Sequence, residues 1–377
     1  MDILAREKAM LEVKQSSTLV LLPNSIAIRP YPTDGEKFLN PHPLATHKVT
    51  LDIQYAATTF SVLVTMEQPL DFVITTPHLL PMKYLDNKSF PPEYPDTSLT
   101  ELVKWLTEQL KEHMKESIQA EEKLSGLLDA IENLVSMDII SEDSYEIAIV
   151  GDRVTFLVKF RPEKDIKLAS LSEMVKEDKL LNGGGHFFVF KIVYRVDTGA
   201  FLPGEFSIAF SSDLSDMLPE LANYSEPGLT AKLASDLVSF LMHMKDTVNG
   251  TIAIAVERWE SRARLLLQLL SIFEDGELAV PYLDSSTMSC IDLAFRTKLR
   301  RAMLKIELSV GYPEEVPKVT FFSVVVPTEV ARETRGSGEI KDQVVDLVKF
   351  NYNQNMKVGD IVDIVVQIIN NIATLDK

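Results

Sequence analysis

Covalent or metal chemistry in this chain would have to come from few side chains. Cys290 is the one cysteine, and six histidines are scattered as His42, His47, His78, His113, His186 and His243. A cysteine nucleophile works as a thiolate, prepared by a neighbouring base or a cationic environment. Cys290 instead stands among Met288 and Ile291 in a strand-like run and reads as a buried apolar residue. Zinc needs ligands at short helical or loop spacing, and no His-x-x-x-His or Glu-x-x-His pair occurs. His42 and His47 share one proline-flanked loop and read as solvated. Gly183-Gly184-Gly185 lacks the lysine and hydroxyl of a phosphate loop, and His186-Phe187 opens a strand rather than a helix. A Gly-x-Ser-x-Gly elbow is absent. Paired carboxylates such as Glu314-Glu315 read as solvated faces in a chain with 55 acidic residues. The reading is therefore no catalytic residue, no cofactor and no metal.

Two stretches suit binding better. Arg296, Lys298, Arg300, Arg301 and Lys305 fall within ten residues, as a solvated hairpin tip or as a docking site for an acidic surface or a phosphate. The loop over 77–95 carries Leu79, Leu80, Met82, Tyr84, Phe90 and Tyr94, more apolar surface than a free loop needs. It reads as covered by another subunit or by the helix that follows.

The 377 residues suit two or three domains, and the formal net charge of −17 disfavours nucleic acid and anionic membrane surfaces as partners. A lone cysteine rules out an internal disulfide framework and fits a reducing compartment. Residues 1–13 mix Asp2, Arg6, Glu7, Lys8 and Glu12 into their apolar positions, unlike a signal peptide. The apolar stretch 358–375 carries Asp360 and Asp363, each costing about 2.5–3.5 kcal/mol at mid-bilayer, and reads as a soluble helix.

The elements that must position these residues come in three cycles. A short helix over 1–15 precedes strands at 18–28, 48–55, 60–66 and 72–75, with 56–59 as a tight connection. In Val49-Leu51-Ile53-Tyr55 every second residue is apolar, so one face meets a core. Ser98 and Glu101 form a capping box for a helix whose stripe runs Leu99, Val103, Leu106, Leu110, Met114, Ile118 and onward to Leu134, with a break expected near Gly126. The second cycle has strands at 145–150, 153–160, 186–196 and 205–210, polar helix or loop over 168–181, and a helix through Leu229 to Met244. The third has a helix over 252–273, strands at 277–283, 289–295, 302–310 and 319–326, and closing helices at 340–350 and 358–375. Strands grouped before helices argue for antiparallel α+β units.

The most specific pattern is Tyr312-Pro313, Pro317, Val319 and Phe321. Both prolines fix φ and withhold donors, so the chain turns a corner without extending a ladder. The arrangement resembles the turn between the third and fourth strands of ubiquitin-conjugating-enzyme-like (UEV/RWD) domains. Pro69, Asp71 and Phe72 form a degraded counterpart in the first cycle. The runs Leu51–Ala56 through Phe72, Arg153–Phe160, and Trp259-Glu260-Ser261-Arg262 on to Phe321 resemble the BRE family.

That resemblance implies α+β architecture with three tandem UEV-like domains, over 1–138, 139–250 and 251–377. It implies a non-catalytic scaffold, cytoplasmic and nuclear, in deubiquitinase assemblies of the BRISC type and a related nuclear DNA-damage complex. Implied partners are a JAMM/MPN metalloprotease subunit, an inactive MPN partner and a von Willebrand-A-like adaptor, with UEV-like units linked to ubiquitin or target recognition. A working conjugating enzyme needs a cysteine beside an oxyanion-stabilising asparagine. Downstream of Phe321 there is neither cysteine nor histidine. Interfaces are expected around Arg296, Lys298, Arg300 and Arg301, on a helix face with Ile361, Val365, Ile368 and Ile372, on 312–326 and on the first long helix. The alternative reading is an RWD-type regulator that recruits a conjugating enzyme or ligase.

Overall fold

The computed structural model describes residues 8–9, 11–12, 26–30, 48–66, 70–85, 98–164, 186–196, 203–224, 237–273, 278–296, 300–325, 341–345 and 358–374. By compactness the chain divides into two units. Unit 1 comprises Met1–Pro162, Gly183–Ser211 and Glu226–Thr247; unit 2 comprises Glu163–Asn182, Ser212–Ser225 and Val248–Lys377.

Unit 1 holds two antiparallel four-stranded sheets. The first runs β1 (Ile26–Pro30), β2 (Lys48–Tyr55), β3 (Thr58–Thr65), β4 (Asp71–Ile74) in that order. Leu51 faces Val62 and Ile53 faces Phe60 across the β2–β3 ladder, and all four are fully buried. The alternation seen in the sequence thus becomes one core face. The hairpin turn is shorter than the expected 56–59 connection. Only Ala56 and Ala57 lie outside the strands, both at positive φ (44° and 63°). A left-handed alanine costs roughly 1–2 kcal/mol. Ala56 is fully buried, and its N–H donates to the Glu146 carboxylate at 2.7 Å, which helps to offset that strain.

Helix α1 (Met82–Leu85) interrupts the expected loop, where Leu79 and Leu80 are buried; residues 86–97 lie outside the described ones. Helix α2 (Leu99–Gln119) starts on the Ser98–Glu101 capping box, both reciprocal bonds being present. Its stripe of Leu99, Leu102, Val103, Leu106, Leu110 and Met114 joins the core of the first sheet. The helix ends before a 3-10 turn at Glu122–Leu124, and α3 (Ser125–Ser136) follows. The break therefore precedes Gly126, which is an exposed residue inside α3. No glycine or proline marks the break; buried Leu124 accompanies it.

The second sheet runs β5 (Tyr145–Val150), β6 (Arg153–Phe160), β7 (Phe188–Arg195), β8 (Pro203–Phe210). Gly151 takes the left-handed position of the β5–β6 turn, φ +63°. Aromatic rings fill one face: Phe160 lies 5.5 Å from Phe188 and 5.2 Å from Phe190, and Phe206 meets Phe240 edge-on at 5.3 Å. Lys111 of α2 lies over the Tyr145 ring at 3.9 Å and pairs with Glu142.

The two helices expected at 229–244 and 252–273 are, over the described residues, one helix. Helix α5 (Leu237–Phe273) runs 37 residues. Asn249 and Gly250, which lie between the two expected helices, both continue the helix, and space around the Gly250 Cβ position is open.

Unit 2 carries a five-stranded antiparallel sheet in the order β13 (Lys341–Val345), β12 (Lys318–Val325), β11 (Arg300–Glu307), β10 (Cys290–Arg296), β9 (Leu278–Leu283). The helix expected over 340–350 is corrected here. Lys341–Val345 is a strand, with Val319 facing Val345 and Ser323 facing Lys341. The apolar spacing there suits a helix, but pairing satisfies the outer edge of β12. Short helix α4 (Ser212–Met217) and a 3-10 turn at Pro219–Asn223 also belong to this unit, as does α6 (Val358–Thr374). The architecture is α+β with antiparallel sheets. Within the described residues the strands of each sheet fall in one of the three expected segments, whereas compactness groups the first two sheets together. No helix among the described residues is long and apolar enough to cross a membrane.

Candidate functional site

The Tyr312 motif lies between β11 and β12, the third and fourth strands of its sheet in chain order. The Tyr312-Pro313 peptide is cis. The Tyr312 N–H donates to the Ser309 carbonyl at 3.2 Å, and the Glu315 N–H to the Gly311 carbonyl at 3.1 Å. Tyr312 (2% exposed), Pro317 and Val319 are buried and Phe321 half-buried, so the turn is packed from beneath. Its outside carries Val310 and Val316, 47% and 49% exposed, with exposed Glu314 and Glu315. The outer side of the turn therefore sets two exposed valines beside two exposed carboxylates.

Helix α5 supplies the support. Trp259 and Arg262, three residues apart, share a helix face. The Trp259 Nε1–H donates to the Ser286 carbonyl at 2.8 Å. Arg262 Nε donates to the Thr287 carbonyl at 3.1 Å and Nη1 to the Val310 carbonyl at 3.2 Å. Arg258 pairs with Glu314 at 3.4 Å. One helix face thereby holds the 284–289 loop and the 310–316 turn together. Within that loop, Asp284 accepts from Ser286 N–H (3.2 Å) and Oγ (2.9 Å), from Thr287 N–H (3.2 Å) and its hydroxyl, and from Ser289 Oγ (2.7 Å). Burial works against the carboxylate, but these donors outweigh it and hold its pKa at about 2. The role of α5 went unread in the sequence; the Trp259–Arg262 spacing was the available signal.

Cys290 is half-buried on β10, its Sγ 3.9 Å from Asp292 Oδ1. Burial, then Asp292, pushes the thiol up to about 11. On the order of one thiol in 10⁴ would be ionised at pH 7, the reverse of an activated nucleophile. Among the described residues no group of three His, Cys, Asp or Glu side chains could hold a metal.

The basic cluster converges only in part. Arg296 faces Arg301 at the closing end of the β10–β11 hairpin and Arg300 faces Val325. Lys298 lies outside the described residues. Lys305 pairs with Glu307 at 2.9 Å, and Lys318 meets the same carboxylate at 2.8 Å. The helix face expected to meet a partner is corrected: Ile361, Val365 and Ile368 are 6%, 2% and 2% exposed, buried within the chain itself. The Ile372 side chain is outside the description. In the first sheet Asp71 opens β4, Phe72 meets Trp105 edge-on at 6.1 Å, and Pro69 lies outside the described residues.

Among the curated proteins none matches this chain. Over residues 54–326, a span that includes the Tyr312 turn and its α5 supports, the chain matches the model of the Brain and reproductive organ-expressed protein (BRE) family, and it belongs to that family.

Proposed function

We propose that this chain is a non-catalytic scaffold subunit of a JAMM-metalloprotease deubiquitinase assembly. Membership of the BRE family, over residues 54–326, carries the reading. On it the three sheets represent tandem UEV-like domains, and the Tyr312 turn is retained for docking after loss of conjugation chemistry. The partners are a JAMM/MPN metalloprotease, an inactive MPN subunit and a von Willebrand-A-like adaptor, in cytoplasm and nucleus, with ubiquitin or its targets met by the UEV-like units. The unactivated Cys290 supports the non-catalytic part.

Co-expression with the metalloprotease and the inactive MPN partner tests the assembly. The expected result is co-elution of the chain with both, and isopeptidase activity that zinc chelation abolishes. Recovery of a conjugating enzyme or ligase without any metalloprotease would sink the reading and favour an RWD-type recruiter. For Cys290 the measurement is a ubiquitin-charging reaction with activating enzyme and ATP. No reducible adduct is expected at this residue, and one that disappears in Cys290→Ser would overturn the non-catalytic assignment.

A further inference from the structure

Strand β8 closes one side of the second sheet, and its register shows which of its backbone groups look outward. The Ser211 N–H donates to the Phe187 carbonyl at 2.9 Å, so the hydrogen-bonded positions toward β7 are Ala209, Ser207 and Glu205, opposite Val189, Lys191 and Val193. Phe206 and Ile208 alternate with them. Their N–H and C=O groups therefore point away from β7, toward an edge on which no strand pairs among the described residues. Three other edge strands carry devices against pairing: Arg29-Pro30 on β1, Pro281 with a register shift on β9, and Lys341-Asp342 on β13. From Glu205 to Phe210, β8 holds its register, contains no proline and carries one charge, Glu205. Phe206, Ile208 and Phe210 are half-buried on the aromatic face, where Phe206 meets Phe190 and Phe240. Glu205, Ser207 and Ala209 are exposed on the other face.

We infer that this edge binds a second copy of this chain: two β8 strands pair antiparallel about a two-fold axis at Ser207, joining two four-stranded sheets into one continuous sheet. Phe206 of each copy then exchanges both backbone hydrogen bonds with Ile208 of the other. On the aromatic face this register sets Phe206 against Ile208 twice, an aromatic–β-branched pair of the kind that stabilises sheets. On the other face Ser207 meets Ser207 and Glu205 meets Ala209, so no like charges oppose each other although the chain carries a net charge of −17. The run Glu205-Phe206-Ser207-Ile208-Ala209 is thus complementary to itself, which pairing with an unrelated strand would not require. So short a contact falls below the roughly 1,200 Å² of a stable complex, which makes the association reversible, with a Kd on the order of 10 µM. The pairing does not depend on the reading given under Proposed function, and the two can fail separately.

Sedimentation velocity of the full chain, from about 1 to about 100 µM, tests it. A monomer–dimer equilibrium is expected; a chain that stays monomeric throughout overturns the pairing and leaves the edge to a strand of another protein. Ala209 is exposed, so its variants probe the register without disturbing the fold. Ala209→Lys, set opposite Glu205 of the second copy, should tighten the dimer about fivefold, and Ala209→Glu should weaken it about fivefold. Equal effects of the two substitutions refute the register. Ile208→Pro removes an outward donor that the β7 ladder does not use and should abolish association. A proline variant that folds by circular dichroism and still dimerises counts against the edge; should it fail to fold, the Ala209 pair decides. In a Cys290→Ser background, Ser207→Cys should form a disulfide-linked dimer with oxidised glutathione, since residues opposed in a non-hydrogen-bonded pair lie about 4.5 Å apart at Cα. Glu205→Cys should not, and cross-linking there in place of Ser207 would overturn the assignment.

Discussion

Asp284 carries out the most local piece of organisation in the molecule. Its carboxylate, filled by donors from Ser286, Thr287 and Ser289, holds the β9–β10 loop in the form that Trp259 and Arg262 grip. The folded pKa of about 2 lies below the ordinary 3.8, so the unfolded chain binds the proton more readily. The stabilisation is present in full above the ordinary value and is lost as pH falls through the folded one, between about pH 5 and pH 2. With the exposed part of the group screened by water, its size is about 1 kcal/mol. Urea midpoints measured across that window should fall for wild type and show a shallower fall in Asp284→Asn. Equal slopes would remove Asp284 from the account. Ala56 and Ala57 show the other residue-scale lesson. Hairpin turns of this hand favour Asn-Gly, and two alanines give no such signal. A contact 90 positions away, from Glu146, supports a turn that local preference would not choose.

Among the elements, α2 and α5 divide between what local sequence states and what it conceals. The α2 start was legible because a capping box is local chemistry, three residues apart. The continuity of α5 was not, since Gly250 and Asn249 weaken helix preference at the point where the helix runs on. Gly250 is exposed, and open space surrounds its Cβ position. Gly250→Ala should therefore stabilise the protein by about 0.5–1 kcal/mol, through lower entropy of the unfolded chain and better helix propensity. A higher urea midpoint at unchanged slope is the expected reading; a fall would mean that the glycine serves a purpose the helix does not require. Strand β13 makes the complementary case, because its apolar spacing satisfied a helix while the open edge of β12 recruited it as a strand.

For the whole molecule, the informative feature is that unit 2 is discontinuous. Its one described sheet, the third along the chain, is accompanied by Ser212–Ser225, a segment placed in the chain before α5. A piece cut at the expected boundary, 251–377, removes that segment. Such a piece should show a shallow, non-cooperative urea transition, whereas 212–377 should unfold in one cooperative step. Two equally steep transitions would show that the segment is dispensable. The same scale governs the interfaces. The Ile361, Val365 and Ile368 side chains of α6 already serve the core, whereas Val310 and Val316 on the Tyr312 turn remain exposed, and on the proposed scaffold reading docking would fall to surfaces of that kind. An amphipathic helix declares an apolar face without declaring whether its own chain or another covers it.

Taken alone, the sequence determined what depends on neighbours a few residues apart. Alternation placed β2, the Ser98–Glu101 pair started α2, and Pro313 with Pro317 ended one ladder before the next began. Family membership was legible for the same reason, because such local patterns persist along 54–326. Tertiary structure decided the rest: the strand state of Lys341–Val345, the inward face of α6, and the grip of Arg262 on two carbonyls from separate loops. Each of these is a choice between local states of similar free energy, and a partner distant in sequence supplies the difference.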